Sequence, residues 1–231
     1  MCARYTREIE VGGVDDVFDL ADEWDEDDRD EAPGTETAAK TWNAAPGTDQ
    51  LIIRRSRNGA RVRRAVRWGI RPEWDPKKSI INARAESVRS KPVFRESFLR
   101  RRCLVPASGF YEWTSLSGKR VPHYFVVGDG GLFAMGGFFT ASSEEPSRFC
   151  LLTTEPNATV AAMHDRMAVI IEPANYDRWM DPSTEPDVLR ELMVPFGGKM
   201  RSWRVSTDVN RVSATGPTLV DRFDEPQLSL F

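Results

Sequence analysis

Two hydrophobic rhythms run through this chain. At residues 14–24, Val14, Val17, Phe18, Ala21 and Trp24 recur at helical spacing with acidic residues between them, which predicts an amphipathic surface helix. Compact or alternating apolar runs predict strands at 51–55, 103–107, 111–114, 124–127, 132–139, 149–153, 167–171 and 203–206. Asn58-Gly59 lies between arms at 52–57 and 60–68 and has the composition of a type I′ turn, which predicts a hairpin. Helical patterns occupy 93–100, 156–163, 173–180 and 186–193. The last three place Pro in the first turn, after Thr154, Glu172 and Thr184. Residues 44–47 read as a turn and 25–33 as a solvated loop. Strands outnumber helices, and no regular βαβ alternation or internal repeat exists. The expected fold is α+β, with a curved, largely antiparallel, barrel-like sheet core and interspersed helices.

A chain of 231 residues can bury a core of its own, and one domain over 1–215 with a tail at 216–231 is expected. No apolar run reaches membrane-spanning length and no signal-peptide pattern opens the chain, so a cytoplasmic protein with no membrane partner is expected. The cysteines are Cys2, Cys103 and Cys150, an odd and widely spaced set that matches neither a disulfide framework nor a zinc pattern. Cys103 and Cys150 sit in apolar strands and read as inert core thiols. Only His123 and His164 could join them, so neither a metal site nor a cofactor is expected.

The formal net charge of -3 conceals an asymmetry. From Ile52 to Arg102 there are 17 Lys or Arg against 4 Asp or Glu, whereas residues 15–31 hold 11 acidic residues and one Arg. A hairpin so rich in arginine suits phosphate contact, and the distribution points to nucleic acid where the overall charge does not. The alternative is a solvated face whose ion-pair partners come from distant segments.

Cys2 directly follows the initiator Met1. Clipping of Met1 would leave a thiol and a free α-amine on one carbon, a 1,2-aminothiol. Ordinary pKa values near 8.5 and 7.7–8.0 leave both groups partly nucleophilic near neutral pH. An amine condenses with an aldehyde to an imine, and the adjacent thiolate can close that imine into a thiazolidine. Four further segments combine reactive polar side chains with aromatics: Trp68-Gly69-Ile70-Arg71-Pro72-Glu73-Trp74, Ile81-Asn82-Ala83-Arg84-Ala85-Glu86, Pro106-Ala107-Ser108-Gly109-Phe110-Tyr111-Glu112-Trp113 and Met163-His164-Asp165-Arg166-Met167. Singly, each has a bland reading: Asn82 as a turn residue, Glu112 as the outward member of a strand, His164 as a helix C-terminal residue.

Together, in this order and over about residues 2–210, they resemble the SOS-response-associated peptidase family of abasic-site processing proteins. The resemblance implies a DNA-damage protein that binds single-stranded DNA and links Cys2 covalently to the aldehyde of an abasic sugar, protecting the strand from cleavage. It implies Cys2 as nucleophile, with Asn82, Glu112 and His164 completing the catalytic set. It also implies phosphate contacts by Arg4, Arg84 and Arg166, a DNA contact by Thr153, and aromatics presented to bases by the segment holding Trp68 and Trp74. His164 suits acid–base opening of the sugar hemiacetal. Glu112, between Tyr111 and Trp113, suits removal of the amine proton once desolvation raises its pKa. Asn82 can orient both amine and sugar. Self-removal of Met1 and slow reversal of the ring closure are expected, with association to the nucleoid when DNA is bound.

The terminal Gln227-Leu228-Ser229-Leu230-Phe231 resembles peptides that dock on DNA sliding clamps, with Gln227 at the rim and Leu228, Leu230 and Phe231 in an apolar pocket. A clamp is therefore an expected partner of an otherwise monomeric protein. Two alternatives remain at the level of sequence: an N-terminal-nucleophile cysteine amidohydrolase, and a noncatalytic adaptor that binds single-stranded DNA and a clamp.

Overall fold

The computed structural model describes residues 3–21, 39–141 and 146–223. Cys2, Trp24, most of the acidic segment and the Gln227–Phe231 peptide lie outside the described residues. In chain order the elements are β1 (Tyr5–Arg7), α1 (Val11–Phe18), β2 (Thr41–Ala44), β3 (Asp49–Arg55), β4 (Arg61–Trp68), β5 (Asn82–Arg84), α2 (Pro92–Arg100), β6 (Arg102–Ala107), β7 (Gly109–Leu116), β8 (Lys119–Val127) and β9 (Phe133–Phe139). There follow β10 (Arg148–Thr154), α3 (Ala158–Ala161), β11 (Met167–Ala168), β12 (Ile170–Ile171), α4 (Tyr176–Met180), α5 (Pro186–Leu192) and β13 (Met200–Arg204).

Two sheets result. The smaller runs β13-β8-β7-β1-β2 and is antiparallel throughout. In the larger sheet β10 pairs both β4 and β9, so the strands β10-β4-β3-β6-β9 close on themselves. The α+β, barrel-like, largely antiparallel expectation holds, with parallel pairings confined to β10 against β4 and β5. Strand alternation divides the core. Ile52, Val66, Cys103, Val105, Phe149 and Leu151 face the smaller sheet and meet Tyr5, Phe110 and Phe125. Leu51, Ile53, Leu104, Cys150 and Leu152 face the other way and are covered by Val14 and Phe18 of α1, Phe94 and Phe98 of α2 and Trp179 of α4. Cys103 and Cys150 are both fully buried, and burial pushes both thiols up, as expected of inert core residues.

Several local expectations are corrected. Of Asn58 and Gly59, only Gly59 has positive φ (92°), whereas a type I′ turn needs both. Asn58 instead accepts the Ala60 N–H at 3.1 Å and the loop widens to residues 56–60. The two-residue turn with both φ positive lies at Ser117-Gly118, joining β7 to β8. Helix α1 starts earlier than expected and stops at Asp19, whose left-handed backbone (φ 52°) donates back to Asp15. The helix expected at 156–163 shrinks to one turn because β10 runs through Thr154, leaving Asn157 as the cap that accepts the Val160 N–H. The short strands β1, β2 and β5 carry too few residues to show a period. The boundary at 215 also moves: Leu219 is buried with Tyr111 and Tyr124, and Trp203 Nε1 donates to the Val220 carbonyl at 2.7 Å. Among the described residues no helix is long and apolar enough to cross a membrane.

The basic block is partly spent on structure. Arg55 pairs with Asp181, Arg61 with Asp177, Arg63 with Asp15 and Arg67 with Asp49, so acids from distant segments fold against the hairpin. Its expected role as an open phosphate ribbon is reduced accordingly. Arg102 is the extreme case, only 2% exposed. Its Nη1 donates to the carbonyls of Phe98 (2.8 Å) and Leu99 (2.9 Å), its Nε to Trp179 (2.6 Å) and its Nη2 to Asp181. One guanidinium therefore caps the C-terminal ends of both α2 and α4. Burial lowers its pKa to about 10, still charged at neutral pH. Arg102→Met, which keeps the stem but orphans these carbonyls, is expected to cost about 3 kcal/mol in urea denaturation; a loss below about 1 kcal/mol would show the cap to be dispensable.

Candidate active site

Glu112 lies on β7, and alternation decides its surroundings. Phe110 and Glu112 share the face toward the larger sheet, while Tyr111 lies in the separate cluster on the outer face, with Trp113 packed against it. Glu112 is 1% exposed, so its desolvation comes from the seam between the sheets and not from the flanking aromatics. Burial raises its carboxyl pKa to about 7. Asp165 pushes the same way, and Arg120 opposes.

The N-terminal strand runs beside this carboxyl. Tyr5 pairs with Phe110 and Thr6 with Gly109, and the Tyr111 N–H donates to the Arg4 carbonyl at 3.0 Å. The same antiparallel register, continued one step, sets Ala3 against Glu112.

His164 follows the single turn of α3. Its Nδ1 accepts the Arg166 N–H at 3.0 Å, and Asp165 Oδ1 lies equally near. The two neighbours make opposite demands: the backbone N–H needs a lone pair on Nδ1, and the acceptor-only carboxylate needs a proton there. Burial lowers the His164 pKa. Asn82 stands on β5 opposite Leu151, and Arg84 opposite Thr153. Ile81, beside Asn82, and Met163, beside His164, pack on the same inter-sheet core that holds Phe110. Asn82, Glu112 and His164 thus border one seam. Arg84 is exposed on its rim. Arg166 is held there by two bonds to the Glu86 carboxylate (2.8 and 2.9 Å) and one to the Thr153 carbonyl (2.6 Å).

Three of the expected contact residues are placed otherwise. Trp68 is 0% exposed, stacked on Phe149 at 5.9 Å, with its Nε1 donating to the Ile81 carbonyl at 2.9 Å. It anchors the strand that carries Asn82 and cannot serve as a base platform in this arrangement. Thr153 is likewise 0% exposed, its hydroxyl turned to the Ala83 carbonyl. Arg4 alternates to the outer face, where Nη1 donates to Asn43 Oδ1 at 2.6 Å and to the Val209 carbonyl at 3.0 Å. Trp74 stands apart, 66% exposed on a loop closed by the Ile70–Ile80 bridge, with Lys78 Nζ 4.8 Å from its ring centroid. Sequence reasoning missed Asp165, Arg120 and Glu86 as electrostatic neighbours; Asp165 and Glu86 belong to the quoted motifs and were the findable ones.

A family model described as SOS response associated peptidase (SRAP) matches residues 1–212. Abasic site processing protein YoaM of Bacillus subtilis is 32% identical, with 96% of this chain and 98% of that protein covered. YoqW of the same organism, also named an abasic site processing protein, is 34% identical over 78% of this chain and 85% of its own length. A solved protein from Bacteroides thetaiotaomicron shares the fold, with a TM-score of 0.80 at 24% identity, covering 96% of this chain and all of that one.

The Glu112 shift carries a stability signature. A folded pKa of about 7, above the unfolded value, means the native state holds a proton that the unfolded chain has lost. Stability therefore falls as pH rises from the unfolded pKa through 7 and then levels. Glu112→Gln removes that penalty: it is expected to be more stable than the parent at pH 8 by on the order of 2 kcal/mol and nearly equal at pH 4. Equal melting of the two proteins at both pH values would contradict the assignment.

Proposed function

The chain belongs to the SOS response associated peptidase family, and from that premise we propose that it processes abasic sites in DNA by covalent capture at Cys2. The observation that carries this reading is a carboxyl with a pKa of about 7 buried against the start of the chain. Cys2 lies outside the described residues; Ala3, which follows it in the sequence, is the position that the β1–β7 register sets opposite Glu112.

The reaction balances as amine plus thiol plus aldehyde giving thiazolidine plus water. His164 assists opening of the sugar hemiacetal as acid and base. Glu112 takes the proton that the α-ammonium must lose, and the amine attacks C1′. The carbinolamine hydroxyl leaves as water once protonated, and the Cys2 thiolate adds to the imine carbon. Asn82 orients amine and sugar at the rim of the same seam. Ring closure protects the strand, since an open imine promotes β-elimination. The reverse sequence releases the protein slowly, and removal of Met1 by the same groups would account for the peptidase in the family's name.

Single-stranded DNA is held by charge and stacking. Arg84 and Arg166 supply positive potential at the rim of the seam, and Trp74 offers an exposed face to any base. The tail peptide Gln227–Phe231 is proposed as a sliding-clamp ligand, tethering the domain where damaged template is exposed.

Cys2→Ala is expected to abolish the covalent band on a denaturing gel with abasic single-stranded DNA while leaving noncovalent affinity within about twofold. Wild-type protein whose intact mass shows no adduct, or a persistent adduct in Cys2→Ala, overturns the mechanism. Deletion of residues 227–231 is expected to lower clamp affinity at least tenfold by calorimetry without changing cross-linking; unchanged affinity removes the clamp from the account.

A further inference from the structure

Glu112 is sealed from solvent, yet the reaction requires it to gain and lose a proton in each cycle. A route for that proton is legible in the strand register. Glu112 on β7 pairs with His123 on β8, which pairs in turn with Arg204 on β13. Cross-strand partners project from one face with Cβ atoms about 4.5–5.5 Å apart. The row Glu112–His123–Arg204 therefore runs from the buried seam to the edge strand of the smaller sheet. His123 is only partly buried. Its Nε2 lies 3.4 Å from Thr114 Oγ1, a marginal contact. Its Nδ1 is buried with no hydrogen-bond partner among the described residues. An imidazole nitrogen so placed costs stability unless something bonds it in the working protein.

We propose that His123 is a positioning residue for the capture reaction, exchanging protons with Glu112 through a bridging water, since the two side chains are cross-strand neighbours that do not bond directly, and connecting that carboxyl to solvent. The assignment rests on the capture reading above and goes beyond it. Charged and titratable groups around the row fit the role. Arg204 beside His123 disfavours a resident imidazolium, and burial lowers the ring's pKa in the same direction. The ring is thus a carrier that releases what it receives. Asp165, next to His164, faces Glu112 from the loop before β11, and Arg120 and Arg4 lie on the far side. No other histidine exists in the chain apart from His164. The proton leaves the α-ammonium for Glu112, passes through the bridging water to one ring nitrogen of His123, and departs from the other to solvent, so no charge accumulates.

The test follows covalent adduct formation at saturating abasic single-stranded DNA from pH 5.5 to 8.5 for the wild type, His123→Ala and His123→Phe, with noncovalent affinity and melting measured alongside. Both variants are expected to lose about tenfold or more in the covalent rate at neutral pH, with an altered pH profile and DNA affinity within about twofold. Added imidazole is expected to restore His123→Ala, which leaves room for it, and not His123→Phe, which fills the space. A wild-type rate and pH profile in His123→Ala overturns the assignment, as does a loss that imidazole leaves untouched. A wild type that forms no adduct overturns the capture reading and this inference with it; adduct formation by the wild type with indifferent variants overturns this inference alone.

Discussion

The constraint on which the structure turns is the removal of one carboxyl from water. Glu112 is 1% exposed on a strand whose other face is an aromatic layer of Tyr111, Tyr124 and Trp203. Desolvating an acid disfavours its anion, so the site exists only while two sheets are held together tightly enough to exclude solvent. Tyr5, Trp68, Phe110, Phe125 and Phe149 form that closure from both sheets. The order β8-β7-β1-β2 places the first strand beside the one that bears Glu112, so the chain start enters the seam along a hydrogen-bonded ladder.

The arginines divide into two populations that composition cannot separate. Arg55, Arg61, Arg63 and Arg67 meet aspartates from α1, β3 and the α4 region, and Arg102 ends two helices. Exposed pairs of this kind add little stability individually. Their collective effect is to reduce the hairpin's field, leaving Arg84, exposed at the rim of the seam, as a positive group beside the candidate site. A count of +13 over one stretch of sequence therefore overstates the charge available to a phosphate backbone.

How far the chain could be read without coordinates follows from periodicity. Long strands such as β6, β9 and β10 were legible as compact apolar runs because both of their faces are buried, and the closed sheet could be anticipated from the number of strands. The three-residue strands β1 and β5 were not, although they carry the residues nearest the site. The I′ composition of Asn58-Gly59 misled because the Asn58 side chain bonded its own loop, a local option that composition does not exclude. Glu112, Asn82 and His164 could be singled out as candidates through motif order. What stayed hidden was direction: which face of β7 holds Glu112, that Trp68 points inward, that Arg4 points outward, and that His123 shares a row with Glu112. Each depends on register between strands distant in sequence, which a single residue of slip would invert.

The same burial would let two ordinary side chains share the proposed capture reaction, which needs proton removal and proton donation at one carbon. In water a glutamate is an anion at neutral pH and a histidine is partly cationic, so the first is a weak base and the second the natural acid. Here burial raises Glu112 to about 7 and lowers His164, bringing their affinities for protons together or reversing their order. In the proposed capture, Glu112 can then accept a proton from an ammonium and give it up again, while His164 can accept at one nitrogen what it donates at the other. Neither a more exposed carboxyl nor a more hydrated ring would do both. For the proposed reaction, that is the chemical advantage of a seam between sheets, with the first strand running beside Glu112, over an open groove on the basic hairpin.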